Sequence, residues 1–179
     1  DAAASASNQL TPLELTGRAI FIAEGCMNCH TQSSRPLLAE TQRYDGYSVP
    51  DAFQSDYPSQ WGFTRIGPDL ARQAGKHSNL WHWRHLEHPQ TMPEGEASIM
   101  PAFDHLHDQP LTIEEVLAAC NLPADSPLRS AVKDAVNNQS AALAADLTTS
   151  GGPVMRKGHL TRDSRVLALI AYLQSLGRE

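Results

Sequence analysis

Five consecutive residues, Cys26-Met27-Asn28-Cys29-His30, carry the most legible chemistry in this chain. Two thiols at this spacing can each form a thioether to one of a porphyrin's two vinyl groups. The histidine directly after the second thiol is then held beneath the iron as the proximal ligand. Two other readings compete. A thioredoxin-like dithiol has a strand before it and a helix after it, whereas here a helical pattern precedes the motif and a proline-broken stretch follows. A zinc site needs two further ligands at compatible spacing, and Cys120, the remaining cysteine, has no partner cysteine in sequence. The motif therefore points to one covalent haem c, attached at Cys26 and Cys29, with His30 on the iron.

A sixth ligand has to come from elsewhere. Met100, in Ser98-Ile99-Met100-Pro101, stands far enough from His30 for the chain to wrap a haem edge and return on the other face. Proline stiffens that return. Met92-Pro93 offers the same dipeptide and is the alternative, ahead of Met155 and Met27. The cluster His82, His85 and His88 also allows a metal site or bis-histidine ligation. Our expectation is that these side chains pack beside the haem or hydrogen-bond its propionates. A thioether ligand raises the reduction potential relative to bis-histidine, so the choice bears on function. His105, His107 and His159 are expected to be solvated, and Cys120 to be an inert buried thiol within a helix.

The elements that must position these groups read as helices. Thr11-Pro12-Leu13-Glu14 is a capping box with proline at the first helical position. Leu13, Gly17, Ile20 and Phe21 then fall at helical spacing, and Gly25 is placed to stop the run. From Thr31 to Pro68 the signals are turns: Asp45-Gly46, Val49-Pro50, Tyr57-Pro58 and Gly67-Pro68. Loops this long in a compact domain are functional or wrap something. A short helix is expected over His77 to His88, stopped by Pro89. Another runs from Thr112 to about Cys120, and a weak one covers Ser130 to Leu147. The final helix carries Val166, Leu169, Ile170 and Leu173 on one face, with Asp163 or Thr161 as cap and Gly177 after its end. The class is all-α with long loops. Residues 1–10 form a flexible N-terminal segment, and 11–179 a single domain.

Composition narrows the function classes. The chain has 179 residues, 41% hydrophobic and 19% charged, which suits a folded domain. A net charge of −6 argues against nucleic acid as partner. Aromatic residues make up only 6%, leaving a core that a large cofactor could fill out. The densest apolar run, Val166 to Leu173, falls short of the roughly 18 residues needed to span a bilayer. The small, polar start Asp1-Ala-Ala-Ala-Ser reads as a trimmed terminus after a signal or anchor.

The chain resembles class I cytochromes c. Gly67-Pro68-Asp69-Leu70 is similar to that family's loop in which the proline carbonyl orients the proximal histidine. Trp81, Pro89, Met100-Pro101 and the closing helix follow in the same order. More closely, it resembles the monohaem cytochrome c subunit of cbb3-type haem–copper oxidases. The resemblance is carried by Gly17-Arg18, Glu24-Gly25-Cys26 through His30-Thr31-Gln32, Arg35-Pro36, Arg43-Tyr44 and Tyr47-Ser48. It continues through Gln60-Trp61-Gly62, Arg65, Gly67 to Arg72, Trp81-His82, His85-Leu86, Met100-Pro101 and Leu167 to Gln174.

The resemblance implies a class I cytochrome c fold in which the first and last helices cross and Phe21 meets Tyr172 or a neighbour. A helical insertion, Asp104 to Gly158, precedes the C-terminal helix and is expected to contact partner subunits. It implies Cys26 and Cys29 as covalent haem sites and His30 and Met100 as axial ligands. The role implied is a non-catalytic electron relay between a sister cytochrome c subunit or soluble donor and the catalytic subunit, on the periplasmic side of a bacterial inner membrane. That family's N-terminal membrane helix is missing from these residues, so any membrane attachment is expected through such an anchor or through partner subunits. The alternatives are a freely diffusing periplasmic electron carrier and a haem-based sensor or peroxidase.

Overall fold

The computed structural model describes residues 9–44, 46–49, 58–91, 98–151 and 165–178. Among them lie seven α-helices and no β-strand: α1 Pro12–Ala23, α2 Leu38–Tyr44, α3 Asn79–Glu87, α4 His105–Asp108, α5 Ile113–Ala119, α6 Arg129–Thr149 and α7 Arg165–Leu173. The all-α reading holds. The turns at Asp45, Pro50 and Tyr57, the caps Thr161 and Asp163, and Met92, Met155 and His159 lie outside the described residues.

The crossing of α1 and α7 is the centre of the molecule. The capping box at Thr11 is formed, with Glu14 N–H donating to Thr11 Oγ1 at 3.3 Å and Thr11 N–H donating to Glu14 Oε2 at 2.8 Å. Leu13, Gly17, Ile20 and Phe21 then face inward. From Val166 to Leu173 every residue of α7 is buried. Gly17 permits the approach, because a Cβ there would lie 1.9 Å from the Ala168 carbonyl oxygen. Phe21 and Tyr172 meet edge to face, centroids 5.6 Å apart, as the resemblance implied. Each fully buried Leu or Ile contributes about 1.5–3 kcal/mol. A single hydrogen bond contributes about 1 kcal/mol, so this apolar crossing outweighs any one polar contact.

The polar ends of the crossing are tied as well. Glu14 is buried and receives Arg178 Nη1 at 2.8 Å, and Thr11 Oγ1 donates to Gln139 Oε1 at 2.7 Å. The supposed weak helix is the longest described, α6, and its Val132, Val136, Ser140 and Leu147 are buried. α5 and α6 both pack on α1. One face of the insertion therefore serves the protein's own core.

One helix and one boundary differ from the sequence expectation. α2 lies inside the stretch read as turns; Leu37 and Leu38 are exposed, so no apolar stripe announced it. Its Glu40 and Tyr44 are buried in a polar network instead. α3 begins at Asn79 rather than His77, because Ser78 is the cap and its Oγ accepts from Trp81 N–H at 3.1 Å.

Candidate haem site

Gly25, in the left-handed region at φ 72°, ends α1 and turns the chain into a single 3₁₀ turn, Cys26–Asn28. His30 N–H donates to the Cys26 carbonyl at 3.0 Å, so Cys26, Cys29 and His30 share one compact turn. Both cysteines are free thiols. Burial pushes the Cys26 thiol up to about 12, and the nearby Glu24 charge adds to the effect. That is the opposite of the shift a thiol-redox nucleophile at Cys26 would need.

The imidazole of His30 is set by a segment 38 residues away. Its Nδ1 lies 2.8 Å from the Pro68 carbonyl oxygen. That acceptor requires the proton on Nδ1 and leaves the Nε2 lone pair for a metal. Gly67 makes the approach possible: a Cβ there would sit 2.3 Å from His30 Cε1. Gly67 N–H also donates to the Cys29 carbonyl at 3.0 Å, and Leu70 N–H to the Thr31 carbonyl at 2.8 Å.

Behind this pairing stands a polar network that sequence reasoning gave no role. The Asp69 carboxylate, fully enclosed, accepts from Thr31 Oγ1 at 2.5 Å and from the backbone of Ser33 and Ala71 at 2.9 Å each. Arg65 donates to Thr31 Oγ1 at 2.6 Å and to the Ser33 carbonyl at 2.5 Å, and pairs with Glu40 at 2.6 Å. Glu40 also accepts from the Arg35 backbone and guanidinium, which hold its carboxyl down at about 2. Tyr44 Oη accepts from Asp69 N–H at 3.1 Å. The partners stand 25 to 38 residues apart in most of these contacts, beyond local pattern.

Met100 lies on a separate loop and is half-buried. Its N–H donates to Ser98 Oγ at 3.2 Å, and its carbonyl accepts from Gln90 Nε2 at 2.6 Å. The loop is pinned to α3 where Phe103 N–H donates to the Leu86 carbonyl at 2.8 Å. Cys26, Met27 and Met100 all pack against the same apolar core.

The histidines divide. His77, Trp81 and His85 form a stack, with centroids 3.7 and 4.5 Å apart and planes inclined by 14°. His82 stands edge-on to Trp81. It is buried and pushed down to about 4, chiefly by burial. His105, exposed as expected, lies 3.1 Å from Glu24. The expectation of a solvated His107 is corrected. It is buried, edge-on to Trp83 at 4.2 Å, with Nε2 at 3.2 Å from the Trp83 carbonyl. Asp104 caps the short helix α4, and His107 is buried beside Leu106 on its inward side. Cys120 is half-buried, caps α5 rather than lying within it, and has its thiol pushed up by burial.

These residues fit a haem. The donor set is two uncrosslinked thiols and an imidazole with its tautomer fixed. The cradle is shaped for a ring at His30, since a Cβ at Gly67 would strike that imidazole, and Met100 packs on the same apolar core as Cys26. No group of three His, Cys, Asp or Glu among the described residues is arranged to hold a bare metal ion. A family model described as cytochrome c oxidase, mono-haem subunit/FixO matches residues 2–179. The chain belongs to this family. Membership makes it a one-haem accessory subunit of a membrane-bound oxidase complex, with partner subunits. A search of curated proteins returned no match. No helix among the described residues of this mono-haem subunit is long and apolar enough to cross a membrane.

Proposed function

We propose that this subunit carries one haem c through thioethers at Cys26 and Cys29, with His30 and Met100 as axial ligands. In this reading it relays electrons from a sister cytochrome c subunit or a soluble donor to the catalytic subunit of a cbb3-type oxidase, on the periplasmic side. When bound, the haem supplies a one-electron couple. The chain's own residues attach it, orient His30 and shield the site. The observation that carries the reading is the 2.8 Å contact between His30 Nδ1 and the Pro68 carbonyl, which prepares Nε2 as a ligand at the end of a Cys-x-x-Cys-His turn. With His30 and Met100 both engaged, no position is left for oxygen, so the subunit conducts electrons and catalyses nothing by itself.

The test uses the assembled oxidase carrying Met100→His. This variant retains two strong ligands but lowers the potential, because imidazole replaces thioether. Donor-driven oxygen uptake is expected to fall at least tenfold, with assembly and haem content unchanged. Unaltered uptake at a lowered potential would contradict the relay.

A further inference from the structure

The polar network joins the two chain segments immediately after the His30–Pro68 contact. Thr31 follows His30 and Asp69 follows Pro68, and their side chains meet at 2.5 Å. The Thr31 hydroxyl donates its one proton to Asp69 and accepts from Arg65 Nε at 2.6 Å, so its role is directional. Asp69 is enclosed and fixed by four donors, counting Arg65 Nη2 at 3.3 Å. Arg65 is in turn held by Glu40, and Glu40 by Arg35. Its guanidinium also lies 5.8 Å from the centroid of the Tyr44 ring, whose hydroxyl accepts from the Asp69 backbone. Neither chain segment can slide along the other without breaking several of these bonds.

We propose that Thr31 and Asp69, clamped by Arg65, are positioning residues that set the strength of the His30–Pro68 hydrogen bond and thereby the reduction potential of the subunit. A carbonyl that accepts strongly from Nδ1–H makes the imidazole a better electron donor at Nε2, which favours the oxidised iron. Loosening the clamp weakens that bond and favours the reduced form. The clamp contains two carboxylates and two guanidinium groups, so it acts through geometry with little net charge. This rests on His30 being the ligand.

The decisive variants are neutral. Thr31→Val removes the hydroxyl while keeping the shape, and Thr31→Ser keeps the hydroxyl. In haem-loaded protein, Thr31→Val is expected to shift the reduced-to-oxidised ratio about tenfold toward reduced, or about 59 mV for a one-electron couple. The His30 Nδ1–H proton resonance should move with it, while the methionine–iron charge-transfer band stays. Thr31→Ser should restore both values. Thr31→Ala gives the same readout if the valine variant does not fold. An unmoved potential and resonance alongside a lowered melting temperature would overturn the proposal, as would a Thr31→Ser protein that shifts as far as Thr31→Val. A wild type lacking the spectral signature of imidazole ligation would instead sink the ligand assignment, a separate failure.

Discussion

The two candidate iron ligands are held by different kinds of structure. His30 sits in a turn closed by its own backbone, bonded through Nδ1 to Pro68 and backed by the Thr31–Asp69–Arg65–Glu40 network. Met100 is held by Ser98, by Gln90 and by the attachment of Phe103 to α3. The first arrangement fixes an orientation; the second holds a strap. In the proposed role the His30 side would fix the cofactor's position, and the Met100 side, held by fewer bonds, would be the first to give.

The comparison breaks most completely if the turn is not the attachment point. The double variant Cys26→Ser, Cys29→Ser is expected to lose all haem that survives a denaturing gel, read by haem stain; retained stain would move the attachment elsewhere.

Acid separates the two sides next. His82 lies on α3, which anchors the Met100 loop, and is pushed from 6.5 down to about 4 by burial, with the charges of His77 and His85 adding. As the pH falls the unfolded chain takes up this proton first. The stability is therefore whole above about 6.5 and declines until about 4, by about 3 kcal/mol in all. Glu40, on the other side, is lowered from 4.5 to about 2, chiefly by its hydrogen bonds from Arg35. Its contribution stands above about 4.5 and is lost only as the pH falls toward 2. Denaturant midpoints against pH should show the first limb in wild type and lose it in His82→Leu. The charge-transfer band should fade before the His30 resonance changes; simultaneous loss would erase the distinction.

Gly67→Ala places a Cβ 2.3 Å from His30 Cε1, and the ring must shift. Overpacking of this kind costs about 1–3 kcal/mol. Thermal melting and the His30 Nδ1–H resonance should both report it. The smallest effect is at Gln90→Ala, which removes the 2.6 Å bond to the Met100 carbonyl, a loss of about 1 kcal/mol. Carbon monoxide should then bind the reduced protein more readily, by about fivefold at most, while the melting temperature falls by only a few degrees.

How much of this was legible depended on range. The Thr11–Glu14 capping box, the Gly17 face and the stop at Gly25 are local patterns, and the sequence shows them directly. The Phe21–Tyr172 contact and the pairing of Pro68 with His30 came through family resemblance, since nothing in spacing brings residues 38 apart together. The Thr31–Asp69–Arg65–Glu40 network was missed for the same reason, and α2 because polar contacts stabilise it without an apolar stripe. His107 looked like a surface group because its neighbours Asp104, His105 and Asp108 are polar. Its burial depends on Trp83, in another helix.

The central claim is that His30 and Met100 hold one iron, and the oxidised absorption spectrum of haem-loaded wild type beside Met100→Ala tests it most directly. A weak far-red sulfur–iron band in the wild type, abolished in Met100→Ala, is the expected result. A band that survives in Met100→Ala would assign the sulfur to another methionine, Met92 first. A wild type without the band would contradict histidine–methionine ligation altogether.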